Sequence, residues 1–474
     1  MISRMSCLRA SWVLPITGPP LTDAFVLVKD GRIVDLGSGN PPHNVDMVDF
    51  GEAVLMPGLI NVHTHLDYTL MRGLLEDLEF FPWIRALTAR AFSLSPQDWL
   101  ASATWGAVEA IASGVTCIGD CTFSGAALTG AKALGLRGVI YQEVFGIDEA
   151  RSVSEIVSEL DQKVAALQSQ AEGSALTVGI SPHSPYTVRP ALMKALGEYA
   201  EKHSYQVCIH ASESQAEAEL IRCGVGPIAE MYAKREIAWS APGGGPVQFL
   251  ESCGVLGPRT LLVHGVQVGA SDRKVLRERD VAWAHCPKSN AKLGNGVASL
   301  GMLGWSQEER SDLAGAYARG ARGPRIGLGS DSVASNNTMD LFEEMRFAVL
   351  MQRARHHRIQ SLSAREALEM ATMGGARALG LAAEVGSLEV GKQADLCIVS
   401  LEGAHMQPAY DPYQALVYSA RASDVLCTMV GGAIRYDRRN AAPLAGCFPG
   451  FAPAPVRSAL LDASRRMRDW QPSS

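Results

Sequence analysis

No apolar run in this sequence approaches the length needed to cross a bilayer. The short segment Trp12–Ile16 follows Arg4 and Arg9 but is too brief for a secretory signal core. It reads as a first strand, and a cytoplasmic setting is expected. No block of lysine and arginine is present, and the net charge is −6. A nucleic-acid or membrane partner would favour a basic patch, so neither is expected. The ten cysteines contain no CxxC pair, and Cys117 and Cys121 have no matching second pair. A cysteine zinc site or a disulfide framework is therefore not expected. No internal repeat is found, which argues against a solenoid or propeller. Charged residues are only 19% against 47% apolar, a balance that supports a packed core rather than disorder.

What is present is a long alternation of strand and helix patterns between two β-rich ends. Residues 24–36 form two short β-rich runs around Lys29-Asp30-Gly31, a hairpin signal. Ala394–Ser400 and Val425–Arg435 have similar composition. Between these ends lie eight strand candidates: Val54–Val62, Thr116–Asp120, Gly138–Glu143, Leu176–Ser181, Gln206–Ala211, Thr260–His264, Val281–Cys286 and Arg325–Ser330. Helical patterns such as Ser95–Ser113 and Arg189–His203 separate most of them, with Ser95 as N-cap and Pro96 at the first helical position. Alternation of this kind implies a parallel sheet. Eight units predict an α/β fold, a (β/α)₈ barrel over residues 56–375. Residues 1–55 and 385–437 are expected to join into a small β-sandwich, and 438–474 to form a tail with a short helix. An open doubly wound sheet is the alternative architecture. Residues 238–246 and 304–323 read as insertions.

The strand ends carry the chemistry. His63, His65, His183, His210, His264 and His285 are six of eleven histidines, and all fall at the C-terminal ends of strand candidates. In a barrel that end carries the active site. His63 and His65 are two apart on extended backbone, so both project to one side and can chelate one ion. His210 and Asp331 at other strand ends would complete a donor set of three imidazoles and a carboxylate. Such a set holds one divalent metal, Zn²⁺ being expected, although Fe²⁺ and Mn²⁺ suit the same donors. Glu213, three residues after His210, is placed to carry a proton. His264 can orient water or stabilise developing charge.

These residues sit in stretches that resemble the amidohydrolase superfamily. The resemblance is to the branch of S-adenosylhomocysteine/methylthioadenosine deaminases, aminodeoxyfutalosine deaminases and triazine hydrolases. The stretches are PGLINVHTHLDYTLMRG (57–73), SGVTCIGD (113–120), GISPHSPYTV (179–188), IHASES (209–214), VHGV (263–266), HCPKSNAKLGNG (285–296), LGSDSVASNNTMDLFEEMR (328–346) and GSLEVGKQADLCIV (386–399). The resemblance implies that His63, His65, His210 and Asp331 bind the metal, Glu213 shuttles protons and His264 polarises. It further implies that Ser335 bonds a purine-like ring and His183 contacts the nucleoside. Trp83 and Glu143 are further candidates for substrate contact, and His285 is ambiguous. One position departs from the pattern: the methylthioadenosine-type enzymes carry a ribose-binding glutamate where an ungapped match places Phe92. The expected activity is hydrolytic deamination of a small-molecule adenine-type nucleoside, 6-aminodeoxyfutalosine first, then S-adenosylhomocysteine or methylthioadenosine. A homodimer is expected. Triazine or guanine hydrolysis uses the same chemistry and stays open. An inactive binding protein would have no need of the full constellation.

Overall fold

The computed structural model describes residues 5–41, 45–300, 325–440 and 444–468. The inserted segment 304–323 lies outside them. Eight parallel strands form the barrel wall in unbroken chain order: Leu59–Thr64, Val115–Thr122, Arg137–Val144, Leu176–Pro182, Val207–Ala211, Thr260–His264, Ala282–His285 and Ile326–Leu328. The first and last meet at their C-terminal ends, where Thr64 bridges Asp331 and the Asp331 amide donates to the His63 carbonyl at 3.0 Å. Most strands are buried along their whole length, as Thr260–His264 is. This is why they read as continuous apolar runs rather than alternations.

The helices cover the outside. Pro96–Ala112 starts where its residues dictate. Ser95 Oγ accepts from the Asp98 amide, and the Asp98 carboxylate accepts from the Ser95 amide. With proline in the first turn, this is a reciprocal cap. The terminal helix Pro453–Arg468 packs against this helix, and Arg466 pairs with Asp98.

A second sheet joins both chain ends. Its strand order is Ala433–Asp437, Val425–Val430, Leu396–Ser400, Ala53–Pro57, Ser6–Val13, Leu21–Lys29 and Arg32–Ser38, with Asp46–Asp49 also beside Ser6–Val13. The expected hairpin turns at Asp30 and Gly31, whose φ values of 52° and 77° suit a tight two-residue loop. Leu8, Val26, Ile33, Leu55, Ile398 and Cys427 form part of this sheet's own core.

One element differs from the sequence expectation. The single candidate strand Val54–Val62 is two strands, Ala53–Pro57 in the terminal sheet and Leu59–Thr64 in the barrel. Gly58 separates them, and its Cβ position would lie 2.2 Å from the Thr116 side chain, so no larger residue fits. The apolar pattern runs through the break because both strands are buried, and only the change of sheet divides it.

Arg137 links the two sheets. Its Nε donates to Asp395 Oδ2 at 2.8 Å, and the Gly431 amide donates to Asp395 Oδ1 at 2.7 Å. The side chains are 13% and 2% exposed. Arg137→Ala would leave Asp395 buried without its cation, at a cost of about 3 kcal/mol. The expected result is a fall of several degrees in thermal midpoint. An unchanged midpoint would remove the pair from the account of stability.

Candidate metal and catalytic site

The barrel's C-terminal rim brings together residues that are up to 268 positions apart, from His63 to Asp331. His63 and His65 follow one another along the first strand end, with only Thr64 between. His210 lies on the fifth strand, His264 ends the sixth, and Asp331 lies three residues beyond the eighth. Asp331 and His264 adopt left-handed backbone, at φ 58° and 71°, as does Ser212 at 54°. Strained non-glycine residues of this kind collect at sites where side chains must be aimed. Gly265 allows the turn at His264: it too has positive φ, and a Cβ there would enter the Trp283 ring.

Four donor atoms converge. His63 Nε2 and His65 Nε2 each lie 3.2 Å from His210 Nε2. Asp331 Oδ1 is 3.3 Å from His63 Nε2 and 3.5 Å from His65 Nε2. A tetrahedral ion with ligands at about 2.0–2.1 Å has donor–donor edges of about 3.3–3.4 Å. These four separations suit donors around one small divalent cation, and two candidate clusters, His63–His65–Asp331 and His63–His210–His264, share His63.

The surroundings prepare these donors. His210 Nδ1–H donates to the His183 carbonyl at 2.9 Å, which leaves Nε2 as a lone pair facing the cluster. Burial pushes His210 well below its ordinary range and His65 down to about 3, so both imidazoles are neutral. Burial would lower His63 as well, but contact with Asp331 overrides it and raises that imidazole to about 10. Asp331 is held well below the carboxylate range: burial acts to raise it, and the His63 contact and neighbouring imidazoles prevail. The cluster thus favours positive charge beside Asp331, as a cation site should.

Asp331 is oriented from behind. Ser289 Oγ donates to Asp331 Oδ2 at 2.6 Å, and Ser335 Oγ lies 2.9 Å from the same oxygen. This bears on the expected role of Ser335. The residue is fully buried, does not line the cavity, and bonds Asp331, Ser289 and the Ser332 carbonyl. Ser332 lines the cavity in its place. The short helix Val333–Asn336 turns Ser335 back under the Asp331 carboxylate, which spacing alone does not reveal.

Glu213 and His264 face the same cavity, with Oε2 and Nε2 3.7 Å apart. Glu213 Oε1 accepts from Asn295 Nδ2 at 3.1 Å. Burial, with Asp331 nearby, pushes Glu213 well above the usual carboxylate range, so it holds a proton readily. His264 is lowered to about 4 by burial, and its Nδ1–H donates to Asn290 Oδ1 at 3.0 Å. Its Nε2 is then an acceptor.

A cavity opens beside this cluster. Phe80, Trp83, Ile84 and Leu87 on the helix Phe80–Ala91 form its apolar wall. His183 and Glu143 line it as well. His183 Nδ1 is anchored by Thr187 Oγ1 at 2.9 Å. Glu143 is buried, and burial raises it to about 8. His285 does not line the cavity; it is buried on the seventh strand, lowered to about 3 by burial. Phe92 is 79% exposed beyond the helix end and stands outside the cavity.

Sequence reasoning missed several supporting residues. Ser289, Asn290 and Asn295 all lie in the motif stretch 285–296, where the sequence does not show which side chains they meet. Glu217 accepts the Ser212 and Glu213 amides at 3.0 and 2.8 Å and so fixes the turn that carries Glu213. Its place four residues after Glu213 was the available signal.

Residues 54–435 match the model of the amidohydrolase family. A 5-methylthioadenosine/S-adenosylhomocysteine deaminase of Syntrophobacter fumaroxidans is 33% identical over 398 residues, covering 83% of this chain and 82% of that protein. The protein of the same name from Bacillus thuringiensis is 30% identical and covers 87% and 89%. Among solved structures, an adenosine deaminase from Xanthomonas campestris with bound zinc superposes with a TM-score of 0.82 at 26% identity, over 98% and 99% of the two chains. An atrazine chlorohydrolase from Arthrobacter aurescens superposes at 0.80 with 21% identity, over 97% and 100% of the chains, a likeness of fold.

Proposed function

This chain belongs to the amidohydrolase family, and we propose that it removes the exocyclic amine of an adenine-type nucleoside as ammonia, using one divalent metal ion. The reading rests above all on one observation: His65, His210 and Asp331, with His63 beside them, line one cavity together with Glu213 and His264. His63, His65, His210 and Asp331 would hold the ion, with zinc as the expected metal. Such an ion supplies an activated water at neutral pH.

The chain's own groups do the rest. His264 Nε2, an acceptor, orients the attacking water by receiving one of its hydrogen bonds. Glu213 takes one proton from that water and delivers it to the ring nitrogen, then takes the second proton from the oxygen newly bonded to carbon and delivers it to the amine as the carbon–nitrogen bond breaks and ammonia leaves. Its raised carboxyl range suits both halves of the transfer. Trp83 and its apolar neighbours exclude solvent and pack the base. His183 and Glu143 are positioned for the sugar. Ser335 acts through Asp331 by holding the carboxylate in place. The named relatives support a nucleoside substrate, with thioethers such as methylthioadenosine foremost and 6-aminodeoxyfutalosine a further member of the class. The reading includes a homodimer in the cytoplasm. Among the described residues no helix is long and apolar enough to cross a membrane.

A panel of metal-loaded assays tests the proposal: adenine nucleosides, 6-aminodeoxyfutalosine, guanine and a chlorotriazine. Ammonia release from the nucleosides is the expected result. Turnover of guanine or the triazine alone would overturn the substrate class. A second measurement compares ribo- and 2′-deoxyribo-substrates. Phe92 offers no carboxylate and lies off the cavity. Discrimination should therefore stay below about tenfold, whereas a site built to bond a hydroxyl rejects its absence by roughly 10⁴-fold. A preference of that larger size would mean that another group, Glu143 first, binds the ribose hydroxyls.

A further inference from the structure

Beyond the cavity the same rim carries two aromatic rings that the reaction does not use. Phe123 directly follows the second barrel strand and Phe145 directly follows the third. They are 41% and 39% exposed, although large apolar side chains are usually covered. Their rings meet edge to face at 6.0 Å. Phe145 also lies against the His183 ring at 4.6 Å and 32°. His183 lines the cavity, so the exposed pair continues its wall outward.

The backbone that carries the pair is anchored on both sides. The Phe123 and Ser124 amides donate to buried Asp67 Oδ2 at 3.2 and 3.1 Å. Gln142 Nε2 donates to the Phe123 carbonyl at 3.3 Å. On the other side of Phe145, the Gly146 amide donates to the Thr187 carbonyl at 2.9 Å. Backbone anchored in advance loses little freedom when a ligand covers the rings it carries.

Charge narrows the ligand. The cavity lining contains the carboxyl groups of Glu143, Glu213 and Asp331, and among the described residues no lysine or arginine. Arg189, beside this rim, spends its guanidinium on the carbonyls of Gly146, Asp148 and Arg151. No lysine or arginine among the described lining residues would pair with the carboxylate of an amino-acid tail.

We propose that Phe123 and Phe145 form a subsite for an uncharged, flat apolar group carried at the 5′ position of the nucleoside. The proposal rests on the nucleoside reading above and sharpens it: the preferred substrate is a neutral 5′-aryl thioether rather than a zwitterionic one. A ring laid on this shelf gains apolar burial and edge contacts.

The test uses 5′-phenylthio-5′-deoxyadenosine, S-adenosylhomocysteine and adenosine. Turnover is measured with the metal-loaded enzyme, and binding by calorimetry with metal-loaded Glu213→Gln. The phenylthio compound should exceed S-adenosylhomocysteine by about tenfold or more in both kcat/KM and affinity, a difference of about 1.4 kcal/mol. Phe145→Ala should cut the phenylthio-to-adenosine ratio by about tenfold, and Phe123→Ala should cut it in the same direction. The two outer positions make loss of folding easy to recognise from the thermal midpoint. Equal or tighter binding of S-adenosylhomocysteine, or a ratio unchanged in both variants, overturns the subsite. If no nucleoside is turned over but the binding preference and its loss in the variants persist, the deaminase reading falls and the subsite stands. If no nucleoside binds, both fall.

Discussion

Glu213→Gln is expected to keep its metal and its nucleoside affinity while losing on the order of 10³-fold in kcat. The amide is nearly isosteric, and it can still meet Asn295, so the cavity keeps its shape. What disappears is the only function the carboxyl has in the proposed reaction, the uptake and return of a proton. General acid–base groups contribute roughly 10²–10⁴-fold, and the upper half of that range applies here because both the water and the leaving amine depend on one group. Because the deficit lies in the transition state, KM should move little while kcat and kcat/KM fall together. Metal analysis and steady-state kinetics on the same preparation check this. Near-wild-type kcat would remove Glu213 from the reaction, and loss of metal would make it a ligand-supporting residue.

His210→Ala should have the other large effect, through a different quantity. In the proposed site His210 would supply one of four donors, and its Nδ1–H is already committed to the His183 carbonyl. Alanine deletes both the donor and the contact that aims it. Metal content should fall below one ion per chain, and activity should fall on the order of 10³–10⁴-fold, because metal activation is worth several kcal/mol of barrier. Added zinc should restore part of the activity only at raised concentration. Elemental analysis after dialysis decides the matter: full occupancy in this variant would take His210 out of the donor set. The contrast with Glu213→Gln is diagnostic, since one variant loses metal and rate together and the other loses rate alone.

Much of the fold was legible because its signals are local. Each barrel strand is a short run of buried apolar residues, and caps such as Ser95 and Asp98 are set by neighbours three residues apart. Thr260–His264 was read to its ends. Boundaries were lost where neighbouring segments share a pattern but not a sheet, as at Gly58. The residues 304–323 lie outside the described structure, so their expected insertion has no structural counterpart here.

The candidate site shows the same division. The order of strands and the residues at their ends were determined by sequence alone: His63, His65, His210, His264 and Asp331 occupy equivalent strand-end positions, and strand periodicity places equivalent positions at one end of a barrel. Which of them meet, and which way each ring turns, was decided only by tertiary structure. Asn290 selects the face of His264, Glu217 and Asn295 aim Glu213, and Ser335 turns from the cavity to Asp331. Two of these hydrogen bonds, from His264 to Asn290 and from Asn295 to Glu213, join residues 26 and 82 positions apart and depend on barrel closure; Glu217 and Ser335 lie four positions from their partners, and the folded turns aim them. The exposed pair Phe123 and Phe145 belongs to the same class. Each looks in sequence like an ordinary apolar residue after a strand, and only adjacent loops on a closed barrel set the two rings side by side beyond His183.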